Sequence, residues 1–306
     1  MSGSGRVVVL TGGIGGAKLV LGLQQFTAPD RLTAIVNTGD DCEHLGLRIS
    51  PDIDTLLYTL CGLADREKGW GRADETWSFM RALKAIGGED WFNLGDGDLA
   101  LHVERTRRLA AGETLTRIVT QFAQALGVGA AVLPMSDQRV ATRVVTDEGE
   151  LDFQDYFVRR RCAPRVRSVR FAGAETARPT PAVLAAIAAA DAILVAPSNP
   201  WLSIDPILSV PGLGAALRDA AAPVVVVTPL PGGRAVKGPT AKIMGELGIA
   251  LAADSIEQHY RGLADAFLLD QSDPPIASPH AFADTMMTTL EDRVRVARAA
   301  LALAQR

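Results

Sequence analysis

A chain of 306 residues, 48% hydrophobic and 22% charged, can bury a sizeable core and has the composition of an ordinary globular protein. Its formal net charge of −4 supplies no global basic field, which excludes capture of nucleic acid by bulk electrostatics. Cys42, Cys61 and Cys162, with His44, His102, His259 and His280, show neither CxxC pairing nor metal-cluster spacing, excluding a disulfide framework and a zinc site.

Residues 1–5 lead straight into a strand, which is no signal-peptide pattern, and unpaired thiols suit a reducing cytoplasm, so a cytoplasmic protein is expected. Residues 6–10 are a β-branched apolar run after Arg6, the mark of a strand buried on both faces. The run enters Thr11-Gly12-Gly13-Ile14-Gly15-Gly16-Ala17-Lys18 and then an apolar helix to about Gln25. A strand, a glycine-rich turn and a helix make a phosphate cradle. Glycines let the backbone approach the oxygens, and the helix amino terminus offers free N–H donors. Gly12, Gly13, Gly15 and Gly16 are therefore candidate phosphate-binding positions, with Lys18 as a nearby cation. Tight packing of helix on strand would need the same glycines. No Gly-Lys-Ser/Thr follows, so the turn is not a Walker A loop, and the third glycine of the dinucleotide fingerprint is out of register.

The second strand, 33–36, ends in Asn37 and Thr38 without the acid that holds an NAD ribose, which disfavours a dehydrogenase. Asp40 and Asp41 come next, and Asp52 and Asp54 follow after a glycine-containing loop. Ligands of open α/β sheets sit beyond the carboxyl ends of the strands, so these acids fall where a site belongs. Clustered carboxylates repel one another unless a cation lies between them. A hard divalent ion, magnesium bridging substrate phosphates, is the simplest partner. Singly, each acid has a plainer reading: Ser50-Pro51-Asp52 has the makeup of a helix start, and Asp40 and Asp41 are ordinary turn formers. Grouped after a strand and opposite the glycine-rich turn, they are read as a site.

Helical periodicity marks 54–63, 73–86 and 114–126. Asp98 is placed to cap a further helix with His102 and Arg105 on one face: either a capped surface helix, or an imidazole and a guanidinium beside a polyanionic ligand. Residues 130–135 read as a buried strand. Residues 139–146, 151–159 and 166–171 alternate polar and apolar as an antiparallel meander, with 159–161 a basic, solvated strand edge. The βα pattern resumes with a helix at 181–190, strands at 192–196 and 224–228, a helix at 242–247, a short strand at 267–269 and a closing helix at 290–305. The apolar stretch 181–197 contains Asp191 and is a helix then a strand, not a membrane span. Ser198 and Asn199 after one strand, and Lys237 and Gly238 after the next, lie in polar, turn-rich loops suited to a purine edge or a phosphate. The expected architecture is a doubly wound, mainly parallel α/β nucleotide-binding sheet forming one Rossmann-like unit over 1–306. It carries an inserted helical region at about 55–127 and an antiparallel meander at about 138–172.

Residues 11–18, 37–41 and 51–55, the Asp96-x-Asp98-x3-His102 segment, 198–200 and 235–239 together resemble the 2-phospho-L-lactate transferase family, in order along nearly the whole chain. The resemblance implies a magnesium-dependent enzyme of coenzyme F-420 biosynthesis, often a homodimer. Its donor is a guanosine diphosphate esterified to lactate or enolpyruvate, and its acceptor is the deazaflavin alcohol Fo. The ribityl hydroxyl attacks the phosphorus next to the three-carbon acid, GMP leaves, and F-420-0 or its dehydro form results. The motifs leave the donor acid open, since a methyl and a methylene differ too little to read.

Carried onto this chain, the family's paired acids are Asp41 and Asp54, which would hold magnesium, and Arg81 stands where an acceptor-contacting arginine is expected. Residues 12–18, Ser198, Asn199, Lys237 and Gly238 correspond to the side facing guanosine and phosphate. Asp40 or Asp41 could accept the hydroxyl proton, although a loose transition state needs little base help. Trp70, Trp77 and Trp91 lie in the region that could close over a deazaflavin, with core or surface roles competing for each. The alternative reading is a nucleotide-sugar-binding regulatory protein of the same fold. Those proteins carry Gly-Gly-Ser-Ser-Gly after the paired acids. Here residues 42–46 and 51–55 take its place, which favours the enzyme.

Overall fold

The structure is a computed structural model that describes residues 5–65, 67, 70–234 and 238–305. Strand β1 (Val7–Thr11) is buried along its whole length, as its apolar run requires. Helix α1 (Gly13–Gln24), strand β2 (Leu32–Val36) and a small hairpin, β3 (Cys42–His44) and β4 (Leu47–Ile49), follow. Four helices come next: α2 (Pro51–Leu60), α3 (Ser78–Ala85), α4 (Asp98–Ala110) and α5 (Leu115–Ala125). Strand β5 (Ala131–Pro134) precedes the antiparallel strands β6 (Ala141–Thr146), β7 (Gly149–Asp152) and β8 (Val166–Ala172). The chain then alternates again through α6 (Pro181–Ala188), β9 (Ala192–Val195), α7 (Asp205–Leu208), α8 (Leu213–Arg218) and β10 (Val224–Val227). It closes with α9 (Thr240–Glu246), α10 (Ala253–His259), β11 (Ala266–Asp270), β12 (His280–Ala283) and α11 (Leu290–Ala304).

Among the described residues, seven strands share one sheet in the order β12-β11-β10-β9-β1-β2-β5, and every neighbouring pair is parallel. From β1 the chain winds outward through β2 and β5, and from β9 it winds the other way. That reversal leaves a crevice beyond the carboxyl ends of β1 and β9, the place where doubly wound sheets bind ligands. One apolar layer packs α1, α2, α5 and α11 on the sheet through Leu19, Ile53, Val119 and Ala300. The other packs α6, α8 and α10 through Val183, Leu217 and Ile256. Each large apolar side chain buried this way contributes roughly 1.5–3 kcal/mol relative to exposure. Gly22 brings α1 against α11 at backbone contact, since a Cβ there would lie 2.2 Å from the Arg293 carbonyl oxygen.

Three local expectations change. The second meander strand stops at Asp152 rather than running to 159, and residues 155–159 form a wide helical turn. Phe153 and Tyr156, three apart, both enter a small core with Val144, Val166, Leu202 and Ile243, so the burial there has a helical period rather than a period of two. Helix α3 starts only at Ser78, because Asp74 and Trp77 adopt positive φ (60° and 58°) just before it. Between the two pairs of acids the structure adds a hairpin that the sequence pattern does not predict. Its turn uses Leu45 and Gly46, both at positive φ, and leucine carries none of the Asn-Gly signal that announces such a turn.

Cys42, Cys61 and Cys162 are free thiols. No described helix is long and apolar enough to cross a membrane.

Candidate functional site

The Ser198 hydroxyl, just past β9, donates to the Gly12 carbonyl at 2.6 Å and accepts the Gly12 N–H at 3.2 Å, tying the two strand exits together at the crevice. Asn199 caps the turn that follows. Its Oδ1 accepts the N–H groups of Trp201 and Leu202 at 3.0 Å, and its amide donates to Thr240 Oγ1 at 2.9 Å, fixing the start of α9. Gly238, at φ 73°, lies in the loop leading to that helix, whereas Lys237 lies outside the described residues.

The glycine-rich turn divides its labour. A Cβ on Gly15 would meet the Pro197 carbonyl oxygen at 2.6 Å, and one on Gly16 would meet Thr11 Oγ1 at 1.9 Å, so these two glycines permit α1 to pack on its own strand and on the β9 loop. Gly12 and Gly13 face an anion that belongs to the protein. A Cβ on Gly12 would lie 2.6 Å from Asp52 Oδ2 and one on Gly13 would lie 3.4 Å from Asp52 Oδ1. The Lys18 ammonium, read from the sequence as a phosphate partner, donates to the Met287 carbonyl at 2.8 Å.

The four acids converge. Asn37, at the end of β2, holds the Gly39 N–H on its Oδ1 at 2.7 Å and donates to Asp52 Oδ2 at 2.9 Å, so one amide links the β2 exit to the start of α2. Asp41 Oδ2 accepts the Ser50 hydroxyl at 2.7 Å. Asp40 Oδ1 and Asp41 Oδ1 are covered and have no hydrogen-bond partner. Burial pushes Asp41 up to about 8, with Asp54 and Asp52 adding to the rise and Ser50 and Arg105 opposing it. Burial likewise raises Asp40, helped by Asp52, and brings Asp52 to about 6 against the hydrogen bonds from Asn37 and Gly13.

Asp54 sits one turn further into α2 and meets α4. Arg105 grips both of its oxygens, Nη2 on Oδ1 and Nη1 on Oδ2 at 3.1 Å. His102 Nδ1 lies 3.6 Å from Asp54 Oδ2, and His102 Nε2 lies 3.5 Å from Asp98 Oδ1. The Tyr58 hydroxyl, one turn after Asp54, donates to that same Asp98 oxygen at 2.5 Å. Asp98 does not cap α4, whose preceding residue Gly97 offers no side-chain cap. Burial raises Asp98, but the neighbouring His102 and the hydrogen bond from Tyr58 outweigh it and leave the group below the usual carboxylate value. His102 and Arg105 are thus buried partners of the acids rather than parts of a surface helix.

Among the described residues Arg81 bonds locally, to the Thr76 carbonyl at 2.6 Å and Ser78 Oγ at 3.0 Å, and it is exposed. Trp91 packs edge-on against His44 of the hairpin, and Trp70 against Trp77.

The residues fit a hard cation. Two covered carboxylate oxygens without partners lie among acids that repel one another, and each carboxylate oxygen, including those of Asp54, has a second lone pair to offer. Asp54, Asp98 and His102 also bring one ligand atom each within 4.8 Å of one another, although Arg105 already serves Asp54 there.

A pH dependence follows. An acid whose folded value is raised keeps its proton in the native state where the unfolded chain has lost it. Stability therefore falls as pH rises, here across the window from about 4 to about 8 set by Asp41. Each such group costs at most about 1.4 kcal/mol per pH unit inside that window. The melting temperature without divalent ions is expected to fall between pH 5 and pH 8, and added magnesium to raise it more at pH 8 than at pH 6. Thermal melts over this grid check it, and an equal magnesium effect at both pH values would contradict it.

The sequence pattern described as 2-phospho-L-lactate transferase CofD matches residues 7–300. The chain is 43% identical to a phosphoenolpyruvate transferase of Kitasatospora aureofaciens over 98% of both proteins, and 42% identical to one of Streptomyces coelicolor with the same coverage. It is 43% identical to one of Mycobacterium marinum, covering 87% of this chain and 86% of that one. Among solved structures, a UPF0052 family member from Bacillus halodurans matches with a TM-score of 0.57 at 20% identity, over 90% of this chain and 82% of that one. A second structure from that organism gives a TM-score of 0.60 at 18% identity over 98% and 99%. At such identities the likeness speaks for the fold alone.

Proposed function

The chain belongs to the 2-phospho-L-lactate transferase family, and from that premise we propose that it moves a phosphorylated three-carbon acid from a guanylated donor to the ribityl hydroxyl of Fo, releasing GMP. Enolpyruvate is the donor acid, in keeping with relatives called phosphoenolpyruvate transferases, and the product is dehydro-F-420-0. The observation that carries this reading is the set of converging acids at the switch-point crevice, with Asp40 Oδ1 and Asp41 Oδ1 covered and unpartnered.

Attack on a diphosphate is limited by charge on the phosphoryl oxygens and by alignment, so positioning and electrostatics do most of the work. Magnesium held by Asp41 and Asp54 would neutralise that charge. Asn37 and Ser50 orient the acids from the β2 exit and the start of α2, so that Asp40 or Asp41 can take the hydroxyl proton as the P–O bond to the acceptor forms. Ser198 and Asn199 shape the opposite wall, on the guanosine side.

The test is incubation with magnesium, Fo and each guanylated donor, followed by mass analysis. Stoichiometric GMP and dehydro-F-420-0 from the enolpyruvyl donor are expected. Preference for the lactyl donor would revise the donor, and no product from either would leave a nucleotide-binding protein without transfer chemistry.

A further inference from the structure

We propose that Arg105 is the positioning residue of the acid cluster, acting on the cation site through the carboxylate of Asp54. The inference rests on the transfer reading and adds to it a residue that touches neither the substrate nor the cation.

Four observations carry it. Arg105 is fully buried, and its guanidinium faces Asp54 with both terminal nitrogens. A planar fork on a planar carboxylate fixes the orientation of the acid as well as its charge, which a lysine in the same place would not do. The fork is itself held in place: Nη1 also donates to the Arg48 carbonyl at 3.2 Å, beside the hairpin, and lies 3.4 Å from His102 Nδ1. Behind Asp54 the line continues through His102 to Asp98, and the Tyr58 hydroxyl of α2 ties Asp98 back, so the α4 side chains that meet the carboxylate are anchored to α2 in turn. Finally, Arg105 Nε is buried without a partner.

An arginine kept only for folding would be an expensive choice here. Buried ion pairs are often replaced by apolar residues with no loss of stability, and this one leaves a donor unsatisfied. Its geometry instead serves Asp54, holding in one orientation a carboxylate that lies within electrostatic reach of Asp41. Arg105 is also a positive charge near Asp41, so it tempers the repulsion among the acids before any cation arrives.

The experiment uses Arg105→Lys, which keeps the charge and loses the fork, and Tyr58→Phe, which loosens Asp98 without stranding a charge. Manganese binding to the resting protein is measured by calorimetry, and kcat and KM for donor and Fo are measured with magnesium. Groups that orient metal ligands are worth about 10–100-fold in affinity or activity. Arg105→Lys is expected to weaken manganese binding and lower kcat by about that range, with both KM values within about twofold. Tyr58→Phe is expected to move the same two quantities by about tenfold, in the same direction.

A folded Arg105→Lys protein with wild-type metal affinity and kcat would overturn the proposal. Should that variant fail to fold, wild-type metal affinity and kcat in Tyr58→Phe would overturn it instead. A wild-type protein that binds no cation and transfers nothing would remove the transfer reading itself, a different outcome from either.

Discussion

Asp41→Asn is expected to lower kcat by about 10²–10³-fold while the melting temperature stays within about 2 °C of wild type. The substitution is close to isosteric, and the amide oxygen can still accept the Ser50 hydroxyl. What disappears is a charge that burial, Asp54 and Asp52 all disfavour, so folding loses nothing on that account. What the reaction loses is a carboxylate oxygen that has no competing hydrogen-bond partner. Steady-state kinetics with the enolpyruvyl donor and Fo, run beside a thermal melt, provide the check. Turnover within tenfold of wild type would take Asp41 out of the site.

Asp54→Asn is expected to behave differently, losing turnover and also about 3–5 kcal/mol of stability. Read from the sequence alone, the change removes only a metal ligand and leaves the fold intact. In the structure it also removes the counter-charge of a fully buried arginine, which then has no acid on its fork. A loss of that size corresponds to a drop in melting temperature of about 10 °C. Melting the two asparagine variants side by side tests the distinction, since the acids stand only thirteen positions apart yet have opposite relations to the fold. Equal melting temperatures would mean that Arg105 finds another partner when Asp54 loses its charge.

Much of the fold could be read from residue pattern. Val7–Val9, Ile193–Val195 and Val224–Val227 are apolar runs without alternation, and a strand with that pattern has to be covered on both faces. Their spacing, with helices between, requires parallel crossovers. Residues 155–159 misled because Leu151 and Phe153 alternate correctly for a strand, and only the burial of Tyr156 shows the change of period. His280–Ala283 carries no strand signal in sequence because an edge strand, covered on fewer sides, need not be uniformly apolar.

The candidate site can be read from the sequence as a list of residues and not as an arrangement. Chain order alone placed Asp40, Asp41, Asp52 and Asp54 beyond strand β2 and at the start of the next helix, because strand ends and helix starts are local events written in short stretches of sequence. His102 and Arg105 could be put on one helix face by their spacing of three. Which acid they face depends on how α4 packs on α2, and that is set by side chains 51 and 40 residues apart: Arg105 with Asp54, and Tyr58 with Asp98. The glycine-rich turn makes the same point from the other side. Its need for small residues is visible in sequence, but the acid packed against Gly12 and Gly13 is Asp52, and Lys18 turns to Met287. Periodicity and turn chemistry act over a few residues and so survive in the linear chain. Which charges become neighbours is decided only when distant segments pack, because electrostatic partners are chosen by distance in space.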